Sequence, residues 1–466
     1  MPNSKSTLVN STRVQNRTTQ NGMTTNQTSL NNCLDMFFLA GASRNMSEED
    51  IIKVFVAARS ENPHAAFRIL FWARDIRGGA GERRFFNTIM KFVQTDNSFL
   101  FRELISLIPE YGYWKDMLNY PCHEVFDLIT DELMKGNSLC AKWLPRKGPF
   151  ANSLRKFSGM TPKEYRKLLV SLTDVVETKM CTKDWSSIEY NKIPSKAFNK
   201  YLRAWKRNDE KRFTQFLNDV NSGDSKINAS AIFPHTIVSS VYQDGANEQW
   251  NNLPDYMKDS DERILPVCDV SGSMEGLPME VSIALGIYIS ERNKSIFKDA
   301  FITFSESPEM NFLQGTLRDR VYQLRRADWG YNTDLQKTFD MILERAIAHN
   351  ISADEMPTKI LILSDMEFDQ AADWNPTATQ MIAEKYTKFG YEMPGIIFWN
   401  LNGRVGNVPA TSCDKNIGLV SGFSPSIMTA VLAGGDSFSP ETILKDTIYN
   451  KRYDAITAAI ERFMYT

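Results

Sequence analysis

The chain has 466 residues, 42% hydrophobic and 24% charged, with a formal net charge of −2. That is the composition expected of a soluble globular protein too long for one ordinary core, so two large domains are expected. No run of about 18 apolar residues is present, which argues against a membrane-spanning helix and a membrane partner. The near-neutral total hides an asymmetry: residues 1–250 carry a charge of +8 and residues 251–466 a charge of −10. A basic half beside an acidic half points to a polyanionic partner for the first and a cation site in the second.

Residues 1–30 are rich in Ser, Thr, Asn and Gln and read as a disordered polar tail, with neither the basic start nor the apolar core of a signal peptide. The six cysteines, Cys33, Cys122, Cys140, Cys181, Cys268 and Cys413, form no Cys-x-x-Cys pair. This usage suits reduced thiols and a cytoplasmic location, and does not suit zinc.

From residue 31 to 237 the pattern is helical. Ser47-Glu48-Glu49-Asp50 predicts a capped start for Ile51–Arg59, and Asn62-Pro63 starts Ala65–Asp75. Runs at Glu82–Gln94, 98–108 and 122–135 follow. Thr161-Pro162-Lys163-Glu164 carries a cap, a proline at the first helical position and a glutamate at the third. Consecutive amphipathic helices with short connections predict an α-helical repeat (solenoid) domain, although no fixed-length repeat is visible.

The candidate polyanion-binding residues lie in this half. Arg77, Arg83 and Arg84 flank Gly78-Gly79-Ala80-Gly81. Glycines leading into a helix can present amides to a phosphate, and the same stretch can equally be a tight turn between helices. It is not a P-loop, because the Gly-Lys-Ser/Thr ending is missing. Lys142, Arg146 and Lys147 form a second basic cluster. A third lies in the run Lys196–Leu217, where Lys196, Lys200, Arg203 and Arg207 share one helical face, with Tyr201 and Trp205 among them. Such a face could neutralise phosphates while the aromatics stack bases, or it could be a solvated face with both aromatics in the core.

Residues 238–262 are polar and read as a linker. Residues 263–466 then alternate strand and helix: strand 264–268, helix 277–293, strand 300–304, helix 333–349, strand 359–364, helix 376–389, and strands 395–399 and 417–420. This order predicts a doubly wound α/β sheet. Amphipathic residues 451–464 could pack on either half. The apolar run Ile264–Cys268 delivers Asp269-Val270-Ser271-Gly272-Ser273 to the sheet's carboxyl edge, where open α/β sheets bind ligands. Lys359–Ser364 likewise ends on Asp365, and Thr333 opens a helix. Hard oxygen donors of this kind suit Mg²⁺ or Mn²⁺.

Asp269, Ser271, Ser273, Thr333 and Asp365 together resemble the metal-ion-dependent adhesion site of von Willebrand factor A domains. That resemblance implies direct ligation by Ser271, Ser273 and Thr333, water-mediated ligation by Asp269 and Asp365, and one position left for an Asp or Glu of a partner. The analogous positions of the nearby acids Glu367 and Asp369 only shape the field in such domains.

A helical half followed by an A domain is similar to the TROVE, or Ro-autoantigen-like, proteins. A related plant, fungal and viral group shares the signatures at Arg77–Arg84, Lys142–Arg146, Val267–Met274, Ser364–Asp369 and Phe398–Asn400. The resemblance implies binding of noncoding or misfolded RNA by the helical half. No enzymatic activity is expected: His64, His123, His235 and His349 are scattered, and none joins a nucleophile motif. The competing expectation is a metal-dependent protein-interaction scaffold without RNA.

Overall fold

The computed structural model describes residues 16–229, 232–243, 245–269, 271–304, 308–327, 335–368, 383–433 and 438–464. Helices fill the first half where capping signals predict them. The helix Glu48–Glu61 starts on Ser47, whose side chain accepts from the Asp50 amide at 3.0 Å. Asn62 ends that helix and caps the next, Pro63–Arg74, by accepting from the Ala65 amide. Thr161 and Glu164 form the reciprocal capping box of Pro162–Leu172. The basic run expected to be one helix is two, Ser195–Asn208 and Glu210–Ser222, because Asp209 leaves helical geometry with φ −146° and ψ 42°.

The second half is an α/β sheet of six strands: β3 (Ile264–Cys268), β4 (Ala300–Thr303), β5 (Met310–Phe312), β6 (Lys359–Ser364), β7 (Gly395–Asn400) and β8 (Ile417–Ser421). Their order is β5-β4-β3-β6-β7-β8, parallel except for the edge strand β5. The sheet therefore winds outward in both directions from β3 and β6, which are adjacent and in parallel register. Every residue of β3, β4, β6, β7 and β8 is buried, as expected of parallel strands covered on both faces. The helix Leu277–Arg292 lies close over β3 because Gly286 faces the Cys268 thiol, where a Cβ would collide.

Two expectations about organisation are corrected. Part of the stretch expected to be a disordered tail is built into the fold. β1 (Asn16–Thr18) and β2 (Thr24–Asn26) form an antiparallel hairpin, and Asn26 pairs with Val408 beyond β7. Met23, Thr25 and Ser29 are buried. Residues 1–15 lie outside the described set.

The second correction concerns the stretch 238–262, expected to be a polar linker. A single contiguous core runs from Met23 to Ile460, and the supposed linker contains the helix Ala246–Asn251, whose Trp250 is buried and donates to Glu291. The physical reason is the helix Asn32–Ala40, apolar nearly all round, with seven of its nine residues buried. Such a helix must be covered on every side, and β8 supplies one of those sides. There the Ser421 hydroxyl donates to Phe37 O at 2.7 Å and accepts from the Gly41 amide at 3.0 Å. A Cβ on Gly41 would collide with the backbone of Ser421 and Gly422, so this helix end leaves no room for a side chain against β8. The C-terminal helix Asp454–Met464 returns to pack on Pro63–Arg74 and Ser98–Ile105. A smaller second core, centred on Tyr190, Phe198, Trp205 and Phe213, holds the two basic helices together.

Candidate functional site

The carboxyl ends of β3 and β6 flank the point where the sheet reverses its winding, the crevice in which open α/β sheets take ligands. Asp269 and Asp365 follow directly on these strands and are each 1% exposed. Asp269 is fixed from three directions: its amide donates to Leu363 O, its Oδ1 accepts from the Ser271 amide at 2.9 Å, and its Oδ2 accepts from the Ser364 hydroxyl at 2.6 Å. The Ser271 and Ser273 hydroxyls are 3.1 Å apart, and Ser273 lies close enough to the Asp365 carboxylate to favour its charged form. Four of the five expected ligands are thus gathered on one crevice. The fifth, Thr333, lies outside the described residues.

The charge of this cluster is unbalanced. Burial first, and the negative charge of Asp269 second, push the Asp365 carboxyl up to about 6; the Glu367 amide, Ser273 and Arg404 offset only part of this. Asp365 Oδ2 is buried without a hydrogen bond, and the Arg404 guanidinium comes no nearer than 3.9 Å. Buried like charges beside two clustered hydroxyls suit a small hard cation. Among the described residues no group of three or more His, Cys, Asp or Glu side chains could hold a metal, so an ion here would depend on the serine oxygens.

Residues 19–21, Arg404 and Asn407 were not visible in the sequence as part of this site, and all of them converge on the loop that carries Glu367. Glu367, expected only to shape the field, accepts from the Gln20 amide at 2.6 Å and from Asn407 at 3.1 Å, and Arg404 stands 3.4 Å away. The Asn21 side chain donates to Glu367 O, and the Thr19 hydroxyl to Phe368 O. The β1–β2 turn therefore closes over the acidic loop. Arg404 and Asn407 follow β7 at the same carboxyl edge, the one clue the sequence held; nothing in it linked residues 19–21 to this loop. Asp369 lies outside the described residues.

The candidate cations of the helical half divide by what holds them. Arg84 is internal, with Nη1 donating to Met46 O at 2.6 Å and to Ser43 O at 3.3 Å. Arg77 donates to Glu110 O, and Lys142 pairs with Glu177 at 3.4 Å. Arg83 pairs with the buried Asp116 at 2.9 Å while staying half-exposed. Arg146, Lys147, Arg203 and Arg207 are exposed and have no ion-pair partner among the described residues; Lys200 is exposed beside the Tyr201 ring. The aromatics split as well. Trp205 is fully buried against Tyr190, Phe198 and Phe213, the core placement of the two alternatives, and Tyr201 is half-buried.

The Gly78–Gly81 loop is the tight turn of the two alternatives. The amides of Gly79, Ala80 and Glu82 bond to the Asp75, Trp72 and Ala73 carbonyls that end the preceding helix, so these amides are not free for a phosphate.

The uncharacterized protein L728 of Acanthamoeba polyphaga mimivirus is 30% identical to this chain over 494 aligned residues, covering 91% of this chain and 86% of L728. The chain belongs to the L728 family. Two domain models, both described as domains of unknown function, match it: DUF2828 at residues 19–127 and 150–267, and DUF7788 at 263–460. The first begins inside the hairpin that closes over Glu367. A crystal structure of the Deinococcus radiodurans RO (RSR) protein aligns over 91% of this chain and all of that one, at 11% identity and a TM-score of 0.38. No helix among the described residues is long and apolar enough to cross a membrane.

Proposed function

We propose that this is an RNA-binding protein whose helical half holds the nucleic acid and whose sheet carries a divalent-cation site for an acidic group. The observation that carries the proposal is the helix Ser195–Asn208. One face, with Ala197, Phe198, Leu202 and Trp205, is buried, and the other presents Lys196, Lys200, Arg203 and Arg207 to solvent. Cations in a row with no acidic partner repel one another and favour a polyanion that satisfies them together. Arg146 and Lys147 add exposed positive charge on the same half. Noncoding or single-stranded RNA, met in the cytoplasm, is the proposed ligand.

In the sheet, Ser271, Ser273, Asp269 and Asp365, with Thr333 as the fifth member, would hold Mg²⁺ or Mn²⁺. The ion would supply Lewis acidity toward a carboxylate of a protein partner. Neutral hydroxyls leave it most of its charge, which favours binding over turnover, and no enzymatic activity is proposed.

Filter binding of an RNA pool at low and moderate salt, with and without EDTA, tests the proposal. Retention that falls with salt and ignores EDTA supports it. No retention of any RNA at low salt, together with a pulldown partner released by EDTA or by Ser271→Ala, would replace it with the metal-dependent scaffold.

A further inference from the structure

A cavity of about 250 Å³ opens between the first helices and the start of the cationic helix. Arg74, Arg83 and Lys196 bring three cations to its wall, with Ile76, Gly81, Tyr113 and Phe233 completing it. Arg74 is 1% exposed and is locked by Asp116, itself fully buried, through Nε at 2.9 Å and Nη2 at 2.6 Å. Arg83 stands as an ion pair 2.9 Å from the other oxygen of the same carboxylate, which accepts no hydrogen bond among the described residues. Gly112 is required beside them, because a Cβ there would strike both Asp116 and Arg74.

Lys196 stands over the Tyr113 ring at 5.4 Å, with Arg74 at 5.3 Å from the same ring. Asp116 is the one carboxylate paired with these cations among the described residues, so two positive charges are left without a counterion. The same field reaches His235, next to Phe233: burial first, and then the charges of Arg44 and Lys196, hold its imidazole down at about 3.

We propose that this cavity binds a phosphate monoester. A monoester near pH 7 carries roughly 1.5 to 2 negative charges, which matches the two uncompensated cations; a diester within a chain carries one. Arg83 offers a guanidinium edge and Lys196 a mobile ammonium, while Arg74 is held in place by Asp116 and contributes fixed charge. Lys196 is also the first cation of the exposed row that continues through Lys200, Arg203 and Arg207. A strand lying along that row would bring its terminal phosphate to the cavity, an extension that rests on the RNA reading above; binding of a free nucleotide does not.

The test is calorimetric titration of the full chain with AMP and inorganic phosphate, and with one oligoribonucleotide carrying either a 5′-phosphate, a 3′-phosphate or only hydroxyl ends. Binding of AMP or phosphate, weakened about tenfold or more in Lys196→Gln and in Arg83→Gln and unchanged in Lys388→Gln, at an exposed lysine outside both sites, is the expected result. Preference for a phosphorylated oligonucleotide over AMP identifies a strand end as the source. AMP binding without such a preference identifies a free nucleotide. Lys196 is exposed, so its variant should keep the wild-type melting temperature, which separates lost binding from lost fold. The inference is overturned if neither AMP, phosphate nor either phosphorylated oligonucleotide shows binding beyond that of the hydroxyl-ended strand, or if the cavity variants bind like Lys388→Gln. RNA retention by the exposed row can survive that failure, so the two ideas fall separately.

Discussion

Asp269 and Asp365 place two buried carboxylates at the ends of adjacent strands with two hydroxyls beside them, and the repulsion between them sets opposite expectations with and without metal. In EDTA, Asp365→Asn should raise stability by about 1–2 kcal/mol, because a buried like charge is removed. The wild type should instead gain about 2.7 kcal/mol at Mn²⁺ one hundred times its Kd, a gain lost in Asp365→Asn and in Ser271→Ala. Chemical denaturation in EDTA and in Mn²⁺ reads both; equal stability of wild type and variant under both conditions would contradict the account.

His235 supports a pH prediction at the same scale. Its folded value of about 3 lies below the ordinary 6.5, so the unfolded chain takes up a proton that the folded protein refuses. Its contribution is therefore intact above about pH 6.5 and is lost as pH falls toward 3, by at most about 1.4 kcal/mol per pH unit. Replacing it with Phe, a ring that suits the neighbouring Phe233 and Phe423, should flatten that part of the acid-denaturation profile. An unchanged slope would show that His235 does not carry it.

Elements whose signal is local were legible in the sequence. β3, β6, β7 and β8 each centre on a short apolar run, and the helices begin at Ser47, Asn62 and Thr161 because each cap is complete within four residues. The hairpin was not legible. Its Thr, Asn and Gln content resembles a disordered tail, and its order comes from partners about 350 residues away, Glu367 and Phe368 above all. The break at Asp209 was also missed, since neither Pro nor Gly marks it. Likewise, Arg84 is basic in sequence but is tied internally by its fold neighbours, which no charge count reveals. If the hairpin is integral, Met23→Ala, at a side chain 2% exposed, should cost about 2–4 kcal/mol. A melting temperature unchanged by this substitution would return the segment to the status of a tail.

For the whole molecule, the shared core predicts that the two halves unfold as one cooperative unit. Phe37 and Phe38 are fully buried, and burial of each is worth roughly 1.5–3 kcal/mol. Separating the halves would expose the Asn32–Ala40 face that meets β8. One calorimetric transition is expected for the intact chain. Gly41→Val should destabilise both halves together, because its side chain has no space against Ser421 and Gly422. Two resolved transitions, with only one moved by Gly41→Val, would restore the two-domain description.

At this scale the proposed function also becomes quantitative. The measurement that tests it most directly is the dependence of RNA affinity on salt for the wild type and for the double variant Arg203→Gln/Arg207→Gln. Loss of two phosphate contacts to a single strand should make the slope of log K against log salt shallower by about 1.4, with affinity reduced at low salt and the fold intact. Superimposable curves for the two proteins, or no RNA binding by the wild type at low salt, would contradict RNA recognition by this helix.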